Sequence, residues 1–148
     1  MSFSVRVLLI AAALLGQVGC GYFVSGTWVD DPGNWKRAFR SIKPESVTVV
    51  HSRYSRSPHW TLEFQYFFEL APNAELRDQL FSKNKLRMLS SEEAAKEKAS
   101  HFGKPPTWFA PKPADNYEVW VYAQEPRGNF KVLIDKQTGS MFLSDYQI

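Results

Sequence analysis

Cysteine is nearly missing from this chain: Cys20 is the only one in 148 residues, so no internal disulfide is possible. An excess of one charge is missing too, since Lys+Arg 18 against Asp+Glu 15 leaves only +3. That falls short of the clustered basic surplus of a nucleic-acid binder, and no nucleic-acid partner is expected. Beyond residue 15 no apolar run approaches the ~20 residues of a membrane-spanning helix. Histidine occurs three times, at His51, His59 and His101, without the His-x-x-x-His spacing of a metal site, and no metal is expected. Gly-x-Ser-x-Gly elbows, phosphate loops and dinucleotide fingerprints are absent, so no cofactor is expected either. What is present, 44% hydrophobic and 22% charged residues, describes one globular domain.

The one apolar run is N-terminal. Arg6 precedes Val7 to Leu15, and small and polar residues follow, which is the pattern of a signal peptide over residues 1–19. Behind it stands Gly16-Gln17-Val18-Gly19-Cys20-Gly21. This segment resembles the lipobox of bacterial lipoproteins, with Gly19 and Cys20 in place and Gln17 where the family usually carries an aliphatic residue. The resemblance implies cleavage before Cys20 and acylation of its thiol with palmitate-type chains. It also implies a periplasm-facing location in the cell envelope. Gly21, rather than Asp, implies delivery to the outer membrane. The alternative is an ordinary secretory signal cut elsewhere, for example after Gly26. Residues 20–30 are read as a lipidated N-terminus and short linker, and 31–148 as the domain.

Within the domain, Asp31 as N-cap and Pro32 at the first helical position open a helix with Trp35, Ala38, Phe39 and Ile42 inward, stopped by Pro44. Two strands are expected, Ser46 to Ser55 and Trp60 to Leu70. The second alternates Trp60, Leu62, Phe64, Tyr66, Phe68 and Leu70 against polar residues, with Phe67 the exception, and reads as half-buried. Asn73 caps a helix to about Lys83, and Leu86 to Met88 form a short edge strand. Ser90-Ser91-Glu92-Glu93 is a capping box for a third helix with Ala95, Ala99 and Phe102 inward and a Glu92 to Lys96 pair outside. Four prolines between Gly103 and Pro113 exclude a helix there. Three strands complete the chain, Tyr117 to Gln124, Phe130 to Asp135 and Met141 to Tyr146, with Gly139 left-handed in the last turn. The sum is an α+β domain: an antiparallel sheet of about five strands with two or three helices on one face.

The Leu89 to Ala94 helix start, Tyr117-Glu118-Val119-Trp120-Val121 and Val132 to Gly139 together resemble the helix-plus-hairpin pattern of PepSY-type modules over about 55 residues. That resemblance implies a small binding or protease-regulating module. The whole mature chain is similar to small Gram-negative envelope lipoproteins, which implies location and no chemistry.

For catalysis the inventory is thin. Ser52, Ser55 and Ser57 lie near His51 and His59, which is cheap proximity in a hairpin. Glu63 and Glu69 stand ~20 Å apart on one strand, too far for a carboxylate pair. No enzyme is therefore expected. The polar cluster that stands out is Arg53-Tyr54-Ser55-Arg56-Ser57-Pro58-His59-Trp60, expected at the tip of the first hairpin. Two guanidiniums, an imidazole and two rings suit anionic groups or a protein hot spot. The bland reading is a solvated loop with its aromatics turned inward. Trp108 and Phe109, framed by prolines, are a second candidate recognition edge, or else a segment packed across the sheet. Residues 36–56 carry Lys36, Arg37, Arg40, Lys43, Arg53 and Arg56 against only Glu45, a basic stretch beside the anchor. Such a stretch orients a domain on anionic lipid or is simply a solvated face. Two functions remain: a membrane-anchored protein-interaction module (accessory, inhibitor or immunity-type) with an envelope partner, or a binder of an anionic envelope ligand.

Overall fold

A computed structural model describes residues 25–58, 63–101, 103–124 and 128–148. Cys20, His59, Trp60 and Phe102 lie outside the described residues.

Every strand pairing is antiparallel, and the chain builds the sheet from both edges toward the middle. Strand β1 (Gly26–Val29) pairs with β2 (Val49–Arg56), and β2 with β3 (Phe64–Leu70). Helix α1 (Asn34–Phe39) lies between β1 and β2 in sequence. Helix α2 (Ala74–Lys83) then carries the chain to the far edge, strand β4 (Leu86–Met88). After helix α3 (Ser91–Ala99) and the Pro-rich segment, β5 (Tyr117–Tyr122), β6 (Lys131–Asp135) and β7 (Met141–Gln147) run back to the centre. There β7 pairs with β3, and the order is β1-β2-β3-β7-β6-β5-β4.

The α+β class and the antiparallel sheet follow the sequence expectation, but the sheet has seven strands among the described residues rather than about five. Strand β1 comes from the stretch expected to be linker, so the sheet takes in Gly26–Val29 of it. Four residues are too few for alternation to reveal.

The larger correction concerns the faces. Helices do not sit on one side only. On the first face, Trp35, Ala38 and Phe39 of α1 and Leu76, Leu80 and Phe81 of α2 pack on Tyr54, Tyr66, Phe68, Val132, Ile134 and Leu143. On the second face, Ala94 of α3 and Phe109 and Ala110 of the Pro-rich segment cover Phe67, Tyr117, Val119, Leu133 and Phe142. Phe67, which breaks the polar alternation of its strand, is 0% exposed, as is Phe68 beside it. The strand is buried on both sides, and Phe67 was the sign of it.

Caps behave as the sequence implies in two helices. The Asn73 side chain accepts from Leu76 N–H at 2.8 Å, and Ser90 with Glu93 closes the capping box. Arg87 and both Ser90 donors hold the Glu93 carboxyl at a pKa of about 2. The Glu92 to Lys96 pair is present at 2.9 Å. Helix α1 differs. Asp31 accepts from Gly33 N–H at 2.7 Å and from the Arg37 guanidinium at 2.7 Å, so the helix starts after Gly33 instead. It ends at Arg40, and Ile42, expected inward, is 90% exposed.

In α3 the inward residues are also not those expected. Ala95 and Ala99 face solvent, and the stripe turned to the sheet is Ala94, Glu97, Lys98 and His101. Its polar members have partners. Lys131 of β6, 2% exposed, donates to the Glu97 and Ser100 carbonyls and pairs with the Glu97 carboxylate at 2.9 Å. An ammonium at a helix C-terminus also faces the negative end of the helix dipole. Lys98 donates to the Lys112 carbonyl at 2.6 Å, and His101 meets the Phe67 ring edge-on at 5.6 Å.

Candidate functional site

The pleat separates the two arginines that the sequence places together. Residues three apart on a strand point to opposite faces, so Arg53 and Arg56 cannot form one tip site. Strand β2 runs through Arg56, and neither residue lies on the loop. Arg53 lies over the Phe67 ring at 4.9 Å on the second face and donates to the Lys104 carbonyl at 2.8 Å. Its Nε is buried without a hydrogen-bond partner, and burial lowers its pKa. It works as a clamp for the Pro-rich segment. Arg56 points to the first face, beside Tyr54. His59 and Trp60 lie outside the described residues, so the remainder of that cluster has no described geometry.

The Pro-rich segment is a strap across the second face. Arg53 holds its start. Phe109, 6% exposed, meets Phe67 at 4.9 Å and Phe142 at 5.7 Å, both edge-on. Lys112 closes its end with an ion pair to Asp135 at 2.7 Å, and its N–H donates to the Tyr117 hydroxyl at 3.0 Å. That lysine, with Gln137 and Thr138 N–H, holds the Asp135 carboxyl below its usual pKa. Phe109 is thus a core residue and not a recognition edge. Trp108 is different: it stays half-buried, stacked on His51 at 5.4 Å and 25°. Asp30 lies 3.3 Å from the other side of that imidazole, at Nδ1. Val29, the cross-strand neighbour of Arg53, is 60% exposed on the same face. Val29, His51 and Trp108, with Arg53 beneath, form a corner where β1 extends past the strap.

The Asp30 and His51 pair resembles two members of a hydrolytic triad, but the third is missing. Ser52 points to the opposite face, where its Oγ accepts from Asn34 Nδ2 at 3.0 Å. Ser55, four residues on, lies ~13 Å along the strand, and its Oγ accepts from Thr27. No hydroxyl contacts His51 among the described residues, and no cluster of His, Cys, Asp and Glu there could hold a metal.

On the first face a cavity of about 460 Å³ opens between α1 and the loop before β2, lined by Asp31, Trp35, Lys43, Glu45, Val47 and Phe68 among others. Its polar groups are largely spent on the protein itself. Asp31 is held below its usual pKa by Arg37 and Gly33, and Lys43 donates to the carbonyls of Pro44 and Val47. The Trp35 Nε1 is buried without a partner. Nothing converges on a bound atom.

Two partly buried titratable groups escaped sequence reasoning. Asp145, on the first face across from Tyr66, has its pKa raised to about 6 by burial. His101, on the second face, has its pKa lowered to about 4 by burial and then by the Lys131 charge. Cross-strand register places Asp145, and the packing of the chain after α3 on Phe67 and Phe109 places His101; the sequence shows neither. No helix among the described residues is long and apolar enough to cross a membrane. No family model, curated protein or solved structure matches the chain.

Proposed function

We propose that this chain is an exported, lipid-anchored, non-catalytic protein of a bacterial envelope, and that it holds a protein partner at the Trp108 corner. The observation that carries the reading is the contrast between Trp108 and Phe109. One ring is sunk in the core, which fixes the backbone, and its neighbour is only partly buried on that frame. A rigid aromatic loses little entropy on binding and is a typical interface anchor. Exposed Val29 and the His51 imidazole add apolar and polar area on the same face, and β1 is the edge strand of the sheet among the described residues. The anionic-ligand reading has less support, since its two arginines lie on opposite faces.

The anchor and the corner are tested separately. Fatty-acid labelling should mark the wild type and not Cys20→Ser; an unlabelled wild type replaces the anchor with an ordinary secretory signal. For the corner, crosslinked envelopes should yield one co-purifying protein, and Trp108→Ala should reduce its recovery about thirty-fold, the loss of ~2 kcal/mol typical of a hot spot. Val29→Ser, which removes nothing from the core, should weaken capture in the same direction. Equal recovery with both variants would sink the reading.

A further inference from the structure

We infer that the corner formed by Lys36, Arg40, Ile42 and Arg56 around the Trp28 and Tyr54 rings is a membrane-contact face whose cations take the phosphate groups of anionic lipid. The sequence shows a basic stretch but not which of its members act together, and the fold sorts them. Arg53 is turned to the other face and spent on the strap, Lys43 is spent on loop carbonyls, and Arg37 is paired with Asp31 at 2.7 Å.

The side chains of Lys36, Arg40 and Arg56 carry no hydrogen bond or ion pair among the described residues. Lys36 lies in α1 and Arg40 caps its C-terminus, the Arg40 N–H donating to the Lys36 carbonyl at 2.9 Å. Arg56, two residues beyond Tyr54 on β2, shares its face of the strand, and Trp28 stands opposite Tyr54 on β1. Trp28 lies 6.0 Å from the Tyr54 ring, with the Arg37 guanidinium 4.7 Å above its own. Like charges gathered without carboxylate partners repel one another in water, and an anionic surface relieves that repulsion.

Two features make the surface lipid-like rather than merely basic. Ile42, two residues beyond Arg40, is 90% exposed. In water that exposure is unfavourable, whereas at a headgroup boundary an apolar residue flanked by cations inserts. Arg40 itself sits at φ +51°, a left-handed position where glycine is cheaper. The chain accepts that strain and keeps a cation at this point.

Position completes the case, and here alone the inference rests on the anchored reading. Gly26 is the cross-strand partner of Arg56. Only five residues lie between Cys20 and Gly26, a reach of at most ~20 Å over the six steps. An acylated Cys20 therefore brings this corner to the bilayer, while Val29 and Trp108 belong to the opposite face of the same strands.

The test uses the full-length chain reconstituted in vesicles of neutral phosphatidylcholine, with or without phosphatidylglycerol. A fluorophore is placed at Ser41→Cys, beside the cations, or at Met88→Cys on the far edge of the sheet, and quenched by headgroup-bound nitroxide. Quenching at position 41 should appear only with phosphatidylglycerol, vanish in high salt and be absent at position 88. Arg40→Gln with Arg56→Gln should lower the fraction in contact roughly twenty-fold, about five-fold per cation, and Ile42→Ser should lower it further. If the double variant fails to fold, the salt titration of the wild type decides alone. Quenching that is equal in neutral and anionic vesicles, or indifferent to salt, overturns the inference. If labelling shows no acyl chain, flotation of the unanchored full-length chain with anionic but not neutral vesicles still supports the face, and its absence overturns it.

Discussion

The two faces of this sheet are made by alternate residues of the same strands, yet they are held by different physics. The first face is an aromatic cluster under helices with apolar stripes: Trp35 and Phe39 lie 4.4 Å apart, and Phe39 meets Tyr66 at 5.2 Å. The second is covered by a helix that turns Glu97 and Lys98 inward, with His101 just beyond its end, and by a strap tied down by one ion pair and by hydrogen bonds to its carbonyls. Hydropathy detects the first kind of cover and misreads the second, because a polar stripe becomes a core-facing stripe once Lys131 stands opposite it.

The largest expected effect tests whether the second face is core at all. Phe67→Ala and Phe68→Ala should each cost about 3–5 kcal/mol in denaturant unfolding, because both are fully buried. A cost below ~1 kcal/mol at Phe67 would restore the half-exposed sheet.

Next in size is Lys131→Met, which should cost about 3 kcal/mol by leaving the Glu97 carboxylate and two helix-terminal carbonyls without their donor. The double change with Glu97→Leu should recover part of that loss. Additive costs would show that the pair does not couple.

The faces should also differ in the sign of their pH response. Asp145 holds its proton up to about pH 6 in the fold but only to about 4 when unfolded, so its contribution falls as pH rises between those values. Asp145→Asn should therefore stabilise the protein at pH 7 by up to about 3 kcal/mol and gain nothing below pH 4. His101 stays neutral down to about pH 4 in the fold and charges near 6.5 when unfolded, so its contribution is lost as pH falls through that range. In the wild type the two slopes oppose each other. Asp145→Asn should expose stability that rises from pH 4 to 6.5, and His101→Gln stability that falls from pH 4 to 6. Thermal melts across that range check both, and parallel slopes would contradict the assignment.

How much of this was legible follows from the same contrast. The Ser90 box, the Asn73 cap and the Phe64 to Leu70 alternation are local signals, and local structure obeyed them. Phe67 was visible as an exception, and read as a second core it would have revealed the two-sided sheet. The phase of α3 was not legible, since Ala95 and Ala99 are apolar and face solvent while Glu97 and Lys98 face the sheet. Strand β1 is too short to announce itself. The candidate site failed for a plain reason: Arg53 and Arg56 are adjacent in a list of residues and opposed on a pleat. Trp108, singled out by its proline frame, is partly buried against the second cluster and stacked on His51.

The smallest expected effect concerns two of the three left-handed non-glycine residues, Arg40 and Ala110, one on each face; the third is Asp30. Arg40→Gly and Ala110→Gly, at φ +51° and +42°, should each stabilise by about 0.5–1 kcal/mol in thermal unfolding. They should separate in function, with Arg40→Gly losing contact with anionic vesicles and Ala110→Gly keeping it.

The proposed division of labour between faces is tested most directly by photo-crosslinking the full-length protein in native envelopes, from position 41 and from position 29. Lipid adducts from position 41, with one discrete protein adduct from position 29 that Trp108→Ala abolishes, are the predicted result. The same class of adduct from both positions, or a protein adduct from 29 that is indifferent to Trp108, would contradict it.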